Sequence, residues 1–293
     1  MDLARYIEER KKLVDGALDR LLPSAADPPA ALHEAMRYSV FAGGKRLRPV
    51  LCIAAAEALG TDPLPFLPAV CALEFVHTYS LIHDDLPAMD DDDLRRDRPT
   101  SHRVFGEALA ILAGDALLTL AFGAIAGMEA PPPAVRTALV AELAAGSGSA
   151  GMVGGQVLDL AAEGREISAG ALEEIHARKT AAMIEASVSF GALLGGAGAA
   201  QEEALRTYGR SLGMAFQVTD DILDATGNEE KMGKRTRQDD AARKATYPAL
   251  YGVEESRRIA AGYVESAMAA LHGFDERARP LREIARSLLG REN

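Results

Sequence analysis

Aspartates gather in two tight groups along this chain, Asp84 and Asp85 with Asp90, and Asp220 and Asp221 with Asp224. Each group interrupts an otherwise apolar helical pattern, where a carboxylate is costly unless something neutralises it. Hard oxygen donors in that number suit a small divalent cation, and Mg²⁺ commonly completes its shell with substrate phosphates. Cations follow both groups in sequence: Arg95 and Arg96 after the first, Lys234 after the second. Carboxylates for a metal beside cations for phosphate form a constellation suited to a diphosphate.

Spacing refines this reading. Asp220 and Asp224 lie only ~40° apart on a helix, so two like charges share one face and a bridging cation relieves their repulsion. Asp84 and Asp90 are separated by ~600° of helical rotation, which would set them on opposite sides of a straight helix. Pro87 between them predicts that the helix ends or distorts there and that the chain returns Asp90 toward Asp84. Asp91 to Asp93 read as a solvated acidic run. His77 precedes Asp84 by seven residues and shares its face, with Tyr79 and Ser80 nearby, so that face reads as a cavity wall.

Gly43-Gly44-Lys45-Arg46-Leu47-Arg48-Pro49 sets three cations beside small residues that permit close backbone approach. Alone it reads equally as a basic helix-capping turn, and it lacks the spacing of a Walker loop. Gly154-Gly155-Gln156 with Asp159, Lys179-Thr180 and Phe216-Gln217 place further polar groups in apolar helices. Each alone is compatible with local structure, and Lys179 with a surface lysine.

The elements that must position these groups are helices. Residues rich in Ala, Leu, Glu and Arg carry apolar positions at three- and four-residue spacing, and strand-like alternation is scarce. Breakers fall at Leu22–Ala30, Thr61–Pro68, Glu129–Pro133 and Gly195–Gly198, none long enough for an interdomain linker. Gly227–Lys244, polar and charged, reads as a mobile loop. The expectation is a single all-α domain over residues 1–293 with the two Asp groups on facing helices. A formal net charge of −11 argues against a nucleic-acid partner. The two cysteines, Cys52 and Cys71, match no metal or redox motif and read as small buried hydrophobes of a reducing cytosol. The first twenty residues lack the apolar block of a signal peptide. Ala108–Met128 is long and apolar enough to cross a bilayer, but Asp115 interrupts it, and it reads instead as a core helix. No transmembrane segment is therefore expected, and the location expected is cytoplasmic.

Taken in order, Gly43–Pro49, Leu81–Asp90, Gly114-Asp115-Ala116-Leu117, Gly154-Gly155-Gln156, Lys179-Thr180 and Phe216–Asp224 resemble the trans-isoprenyl diphosphate synthases, and among them the bacterial farnesyl diphosphate synthases. The likeness spans nearly the whole chain. It implies an all-α helical bundle around a large central cavity, built as a homodimer. It also implies Mg²⁺, three ions bound together with substrate diphosphate, on Asp84, Asp85, Asp90, Asp220 and Asp224. Lys45, Arg48, His77 and Arg96 match positions that hold isopentenyl diphosphate without metal. Arg95, Lys179 and Lys234 match those gripping an allylic diphosphate (dimethylallyl or geranyl), and Lys244 a further loop lysine. Thr180 and Gln217 match residues at the reacting carbon, which with Lys179 form the expected catalytic group. A tyrosine at position 79, about one turn before Asp84, resembles the farnesyl synthases and predicts a fifteen-carbon product, farnesyl diphosphate. A geranylgeranyl diphosphate synthase is the alternative within the family. A class I terpene cyclase would have no use for Lys45, Arg48 and His77, a non-catalytic partner subunit would not keep both Asp groups intact, and an EF-hand loop has a different ligand pattern. Two departures stand out: Asp97 and Arg237 occupy positions where the family usually has Gly.

Overall fold

A computed structural model describes residues 1–226 and 245–290. Lys234, Arg237 and Lys244, and with them the loop expected at Gly227–Lys244, lie outside the described residues. The described residues are helical apart from one two-residue hairpin, β1 (Leu94–Arg95) with β2 (Arg98–Pro99). The chain is all-α, as its periodicity predicts. Its contacts divide it into two compact units, one of residues 7–50 and 64–140, the other of residues 1–6, 51–63 and 141–293.

In the first unit, α1 (Leu3–Leu21), α2 (Ala30–Val40), α4 (Leu67–Asp84), α5 (Ser101–Phe105) and α6 (Glu107–Ala126) supply most of the helix; α3 (Leu47–Ala58) opens within it. Helix α4 is hydrophobic nearly all round and buries Val70, Leu73, Phe75, Val76 and Ile82, as expected of a helix inside a core. It starts with a proline in its first turn, where a missing N–H is no loss. It stops at Asp84, where Pro87 forbids continuation.

Helix α6 packs on α4 through a strip of small residues, Ala110, Ala113, Gly114 and Ala121, which lets the two backbones approach. It differs from the expected core helix. Only 39% of its apolar window is buried, and Ile111 and Leu112 face outward. Its partners in this chain cover one face, whereas its apolar residues run all the way round. Among the described residues, two helical segments, Leu64–Asp84 and α6, have the length and composition to cross a membrane, but the first is mostly buried.

The second unit holds α7 (Pro133–Ser147) from residue 141 on, α8 (Met152–Ala162), α9 (Ala169–His176), a wide π-type turn (Ala177–Ala181), α10 (Ala182–Leu194) and the long α11 (Ala199–Thr226). They are followed by α12 (Tyr247–Tyr251), α13 (Val253–Ala270) and α14 (Arg279–Leu289). Helix α11 is flanked by α10 and α13. Its last two turns rest on a cluster of Leu172, Val218, Ile222, Tyr247 and Ala260, which fixes which face carries its aspartates. Higher up, Tyr208 is fully buried and donates its hydroxyl hydrogen to Leu281 O at 2.7 Å, tying α11 to α14.

Candidate active site

The first Asp group is shaped by the end of α4. Asp85 N and Leu86 N close the helix onto Leu81 O and His83 O, and Met89 N then turns back to Leu86 O. The turn delivers Asp90 N to Asp84 O at 2.9 Å, so the return predicted from Pro87 is present in the backbone. Asp91 completes it in a left-handed conformation, φ 51°. Asp84 and Asp90 are both half-buried. Asp85 is buried and takes a fork from Arg95, whose Nε and Nη2 lie 2.7 Å and 2.6 Å from Asp85 Oδ1. Burial works to lower the Arg95 pKa, but the hydrogen bond and charge of Asp85 reverse this, and the net shift is upward.

Arg95 and Arg96 stand on the hairpin after that turn. Its two-residue loop needs left-handed backbone at both positions, and Arg96 and Asp97 adopt it, with φ 54° and 60°. Tyr38 holds the hairpin to α2. Its hydroxyl donates to Pro99 O at 2.7 Å and its ring lies under the Arg98 guanidinium, 4.4 Å from the centroid. Arg96 reaches across to donate to Gly43 O. A Cβ at position 44 would run into its guanidinium, and Gly44 has φ 121°; the paired glycines of the basic motif are what let Arg96 lie there.

Lys45, Arg48, His77 and Arg96, expected from the resemblance to hold a diphosphate without metal, all belong to the first unit. Lys45 is exposed, Arg48 is half-buried, and His77 feels the charges of Arg48, Arg96, Arg95 and Arg46. Burial first, then those cations, push the His77 imidazole well below its usual pKa, so the ring is neutral. Burial and, against the pull of Glu74, the charge of Arg96 lower the Arg48 pKa as well. Of these cations Arg95 and Arg46 are paired with carboxylates, which leaves Arg48 and Arg96 as the charges beside the imidazole that suit an anion.

The second unit carries the other expected groups. The π-type turn at Ala177–Ala181 widens the chain at Lys179 and Thr180; such turns often mark functional positions. Gly155 makes room for it, since any Cβ there would meet the Lys179 backbone. Lys179 Nζ pairs with Asp159 Oδ2 at 2.6 Å. Thr180 Oγ1 donates to Gln217 Oε1 at 2.7 Å, and Gln217 Nε2 donates to Asp221 Oδ1 at 3.0 Å. Asp221 also accepts from Tyr247 N at 3.0 Å and lies 3.8 Å from His176 Nε2. Asp221 is therefore spent on holding α9, α11 and α12 together. Asp220, half-buried, and Asp224, buried, sit one turn apart on α11.

Among the described residues, no three His, Cys, Asp or Glu side chains gather closely enough to cage an ion. Asp159, Asp221, Glu74 and Tyr38 were not among the expected site residues; Asp159 and Asp221 fix Lys179 and Gln217, which were, while Tyr38 holds the hairpin through Pro99 and Arg98, and Glu74 holds Arg46. Their signal in sequence is no more than a polar residue in an apolar helix.

Residues 29–272 match the polyprenyl synthetase family. The chain belongs to that family. Its trans-prenyltransferase activity, expected from the motifs, stands with this membership. A farnesyl diphosphate synthase of Geobacillus stearothermophilus is 46% identical over 295 residues, covering all of this chain and 99% of the relative. Geranylgeranyl pyrophosphate synthase 7, chloroplastic, of Arabidopsis thaliana is also 46% identical, over all of this chain and 85% of its own length. Among solved structures, the apo form of a FPP/GFPP synthase from Zymomonas mobilis superposes with a TM-score of 0.88 at 38% identity, covering 98% of this chain and 99% of that one. The polyprenyl synthetase membership and this likeness agree with the all-α fold.

Two predictions follow from the first unit's geometry. The depressed His77 pKa keeps its ring neutral through pH 6–8, protonation coming only well below the usual 6.5. A bound diphosphate offsets the surrounding cations and should move that pKa upward. The His77 ring signals in an NMR pH titration check this; a midpoint near 6.5 without ligand contradicts it. Asp97, in left-handed backbone where the family usually has Gly, costs on the order of 1 kcal/mol. Asp97→Gly is expected to stabilise the protein by about that amount in a urea titration, and an unchanged or lowered midpoint would show the turn to be unstrained.

Proposed function

We infer that the protein joins isopentenyl diphosphate to dimethylallyl or geranyl diphosphate, giving farnesyl diphosphate and free diphosphate. The observation that carries this reading is the first unit's combination of a carboxylate turn, Asp84 to Asp90, with the cations Arg48 and Arg96 beside His77 and Lys45 on the same basic loop as Arg48. One half suits a diphosphate bound through metal, the other a diphosphate bound without it. The family match runs from residue 29 to 272, through both units, which supports treating residues 1–293 as one prenyltransferase domain.

On this reading Arg95, Lys179 and Lys234 grip the allylic diphosphate, with Lys244 as a further loop lysine. Asp84, Asp90, Asp220 and Asp224 serve as carboxylate ligands for its Mg²⁺, three ions by family analogy, and Asp85 supports them by anchoring Arg95. Mg²⁺ when bound supplies charge neutralisation on the leaving diphosphate. The allylic C–O bond breaks, its electron pair leaving with the diphosphate, while Lys179 and Arg95 stabilise the departing charge. Isopentenyl diphosphate is held by its diphosphate on Lys45, Arg48, His77 and Arg96, and the electron pair of its double bond forms the new C–C bond to the allylic carbon. The proton released from the adjacent carbon goes to the departed diphosphate. Thr180 and Gln217, locked to each other, face the reacting carbon and give it polar oxygens without a free base.

Tyr79 supports a fifteen-carbon product: it is buried one turn before Asp84 with its ring edge-on to His83, centroids 5.6 Å apart. Relatives of equal identity carry farnesyl and geranylgeranyl names, so a twenty-carbon product is the alternative. The outward apolar face of α6 suits a second copy of the chain, which supports a homodimer.

Incubation with isopentenyl diphosphate, each allylic diphosphate and Mg²⁺, with the prenyl products identified, tests the assignment. Asp84→Ala or Asp220→Ala should each lower turnover on the order of a hundredfold or more while preserving helical circular dichroism. Near-normal turnover at saturating Mg²⁺ in either variant would overturn the shared role of the two groups. Tyr79→Ala should shift the product from fifteen carbons to twenty or more, and an active variant with unchanged products would move the pocket floor elsewhere.

A further inference from the structure

Arg46 lies between two cations of the metal-free group, Lys45 and Arg48, yet it is 4% exposed and offers nothing to a ligand. Each edge of its guanidinium is already engaged. Nε meets Asp15 Oδ1 at 2.8 Å, Nη1 meets Glu74 Oε1 at 2.8 Å, and Nη2 donates to Val40 O at 2.7 Å. These partners belong to α1, α4 and the end of α2, so one side chain pins the basic loop to three helices. Its backbone is left-handed, φ 51°, a conformation a long side chain holds only where its surroundings over-determine it.

Glu74 is 2% exposed and sits three residues before His77, on the same side of α4. Its second oxygen has no hydrogen bond, and its charge draws on both Arg48 and Arg96. A buried ion pair is a poor device for stability alone, because apolar residues of similar size often serve as well. What such a pair does supply is fixed geometry.

We propose that Arg46 and Glu74 are positioning residues for the metal-free diphosphate site: Arg46 locks the loop that presents Lys45 and Arg48, and Glu74 is the resident anion that keeps these cations and Arg96 assembled before a diphosphate arrives. This rests on the reading of that site given above. The pair acts only through the cations it arranges, so its removal separates the two substrates.

The test is binding of isopentenyl diphosphate in EDTA by calorimetry, with steady-state kinetics for both substrates. Arg46→Met is expected to weaken metal-free binding and raise the KM for isopentenyl diphosphate by about tenfold or more, leaving the KM for the allylic substrate within about twofold. Arg46→Lys keeps the charge but not the fork, and should recover only part of the loss. Where Arg46→Met does not fold, Arg46→Met with Glu74→Leu leaves no buried charge facing its lost partner and carries the same expectation. Unaltered metal-free binding in a folded variant, or equal loss for both substrates, would overturn the proposal. A wild-type protein that binds isopentenyl diphosphate only with Mg²⁺ would instead overturn the site assignment beneath it, and the proposal with it.

Discussion

Ionic groups that leave water must find an opposite charge, and this constraint organises both units. Arg95 is held by Asp85, Lys179 by Asp159, and Arg46 by Glu74 and Asp15. Each pair joins residues ten or more positions apart and fixes the direction of a cation. A cation on a flexible stem loses rotamer entropy on binding. One already pinned by a carboxylate has surrendered most of it during folding, so the ligand meets a prepared surface.

The same economy explains why the backbone departs from ideal geometry at the sites. The left-handed residues Arg46, Asp91, Arg96 and Asp97 cluster in the basic loop, the Asp turn and the hairpin. The wide turn at Lys179 lies against Gly155, as Arg96 lies against Gly44. In each case a missing Cβ admits a neighbouring segment whose charge is then aimed. Regular helix supplies the rigid support, and the irregular turns supply direction.

Much of this was legible in the sequence because it rests on local rules. Pro87 ends α4, and the turn that returns Asp90 to Asp84 follows from that stop. Asp220 and Asp224 share a face by helical arithmetic alone. Other features depend on contacts no spacing reveals. Three cations of Gly43–Pro49 look equivalent in sequence, yet Arg46 is consumed by residues 31 and 28 positions away. Asp85 and Asp221 look like ligands beside Asp84 and Asp220 but are committed to Arg95 and to Tyr247 N. Helix α6 read as core because hydropathy records composition and not which neighbours exist; its chain covers one face only.

An acidic protein that handles two polyanions must confine its positive potential, and pairing supplies the means. On the proposed reading, where carboxylates stand beside the cations, as at the Asp turn, a diphosphate enters with a divalent ion to offset them. Near His77 the carboxylate of Glu74 is buried and already bonded to Arg46, so on the same reading the cations there meet a ligand without it. Burial first, and then those cations, hold the His77 pKa down. Two diphosphates of nearly the same shape can then be sorted by charge state, one taken with metal and one without, before any contact with their hydrocarbon tails. The depth at which each carboxylate is set decides which kind of site its neighbouring cations become.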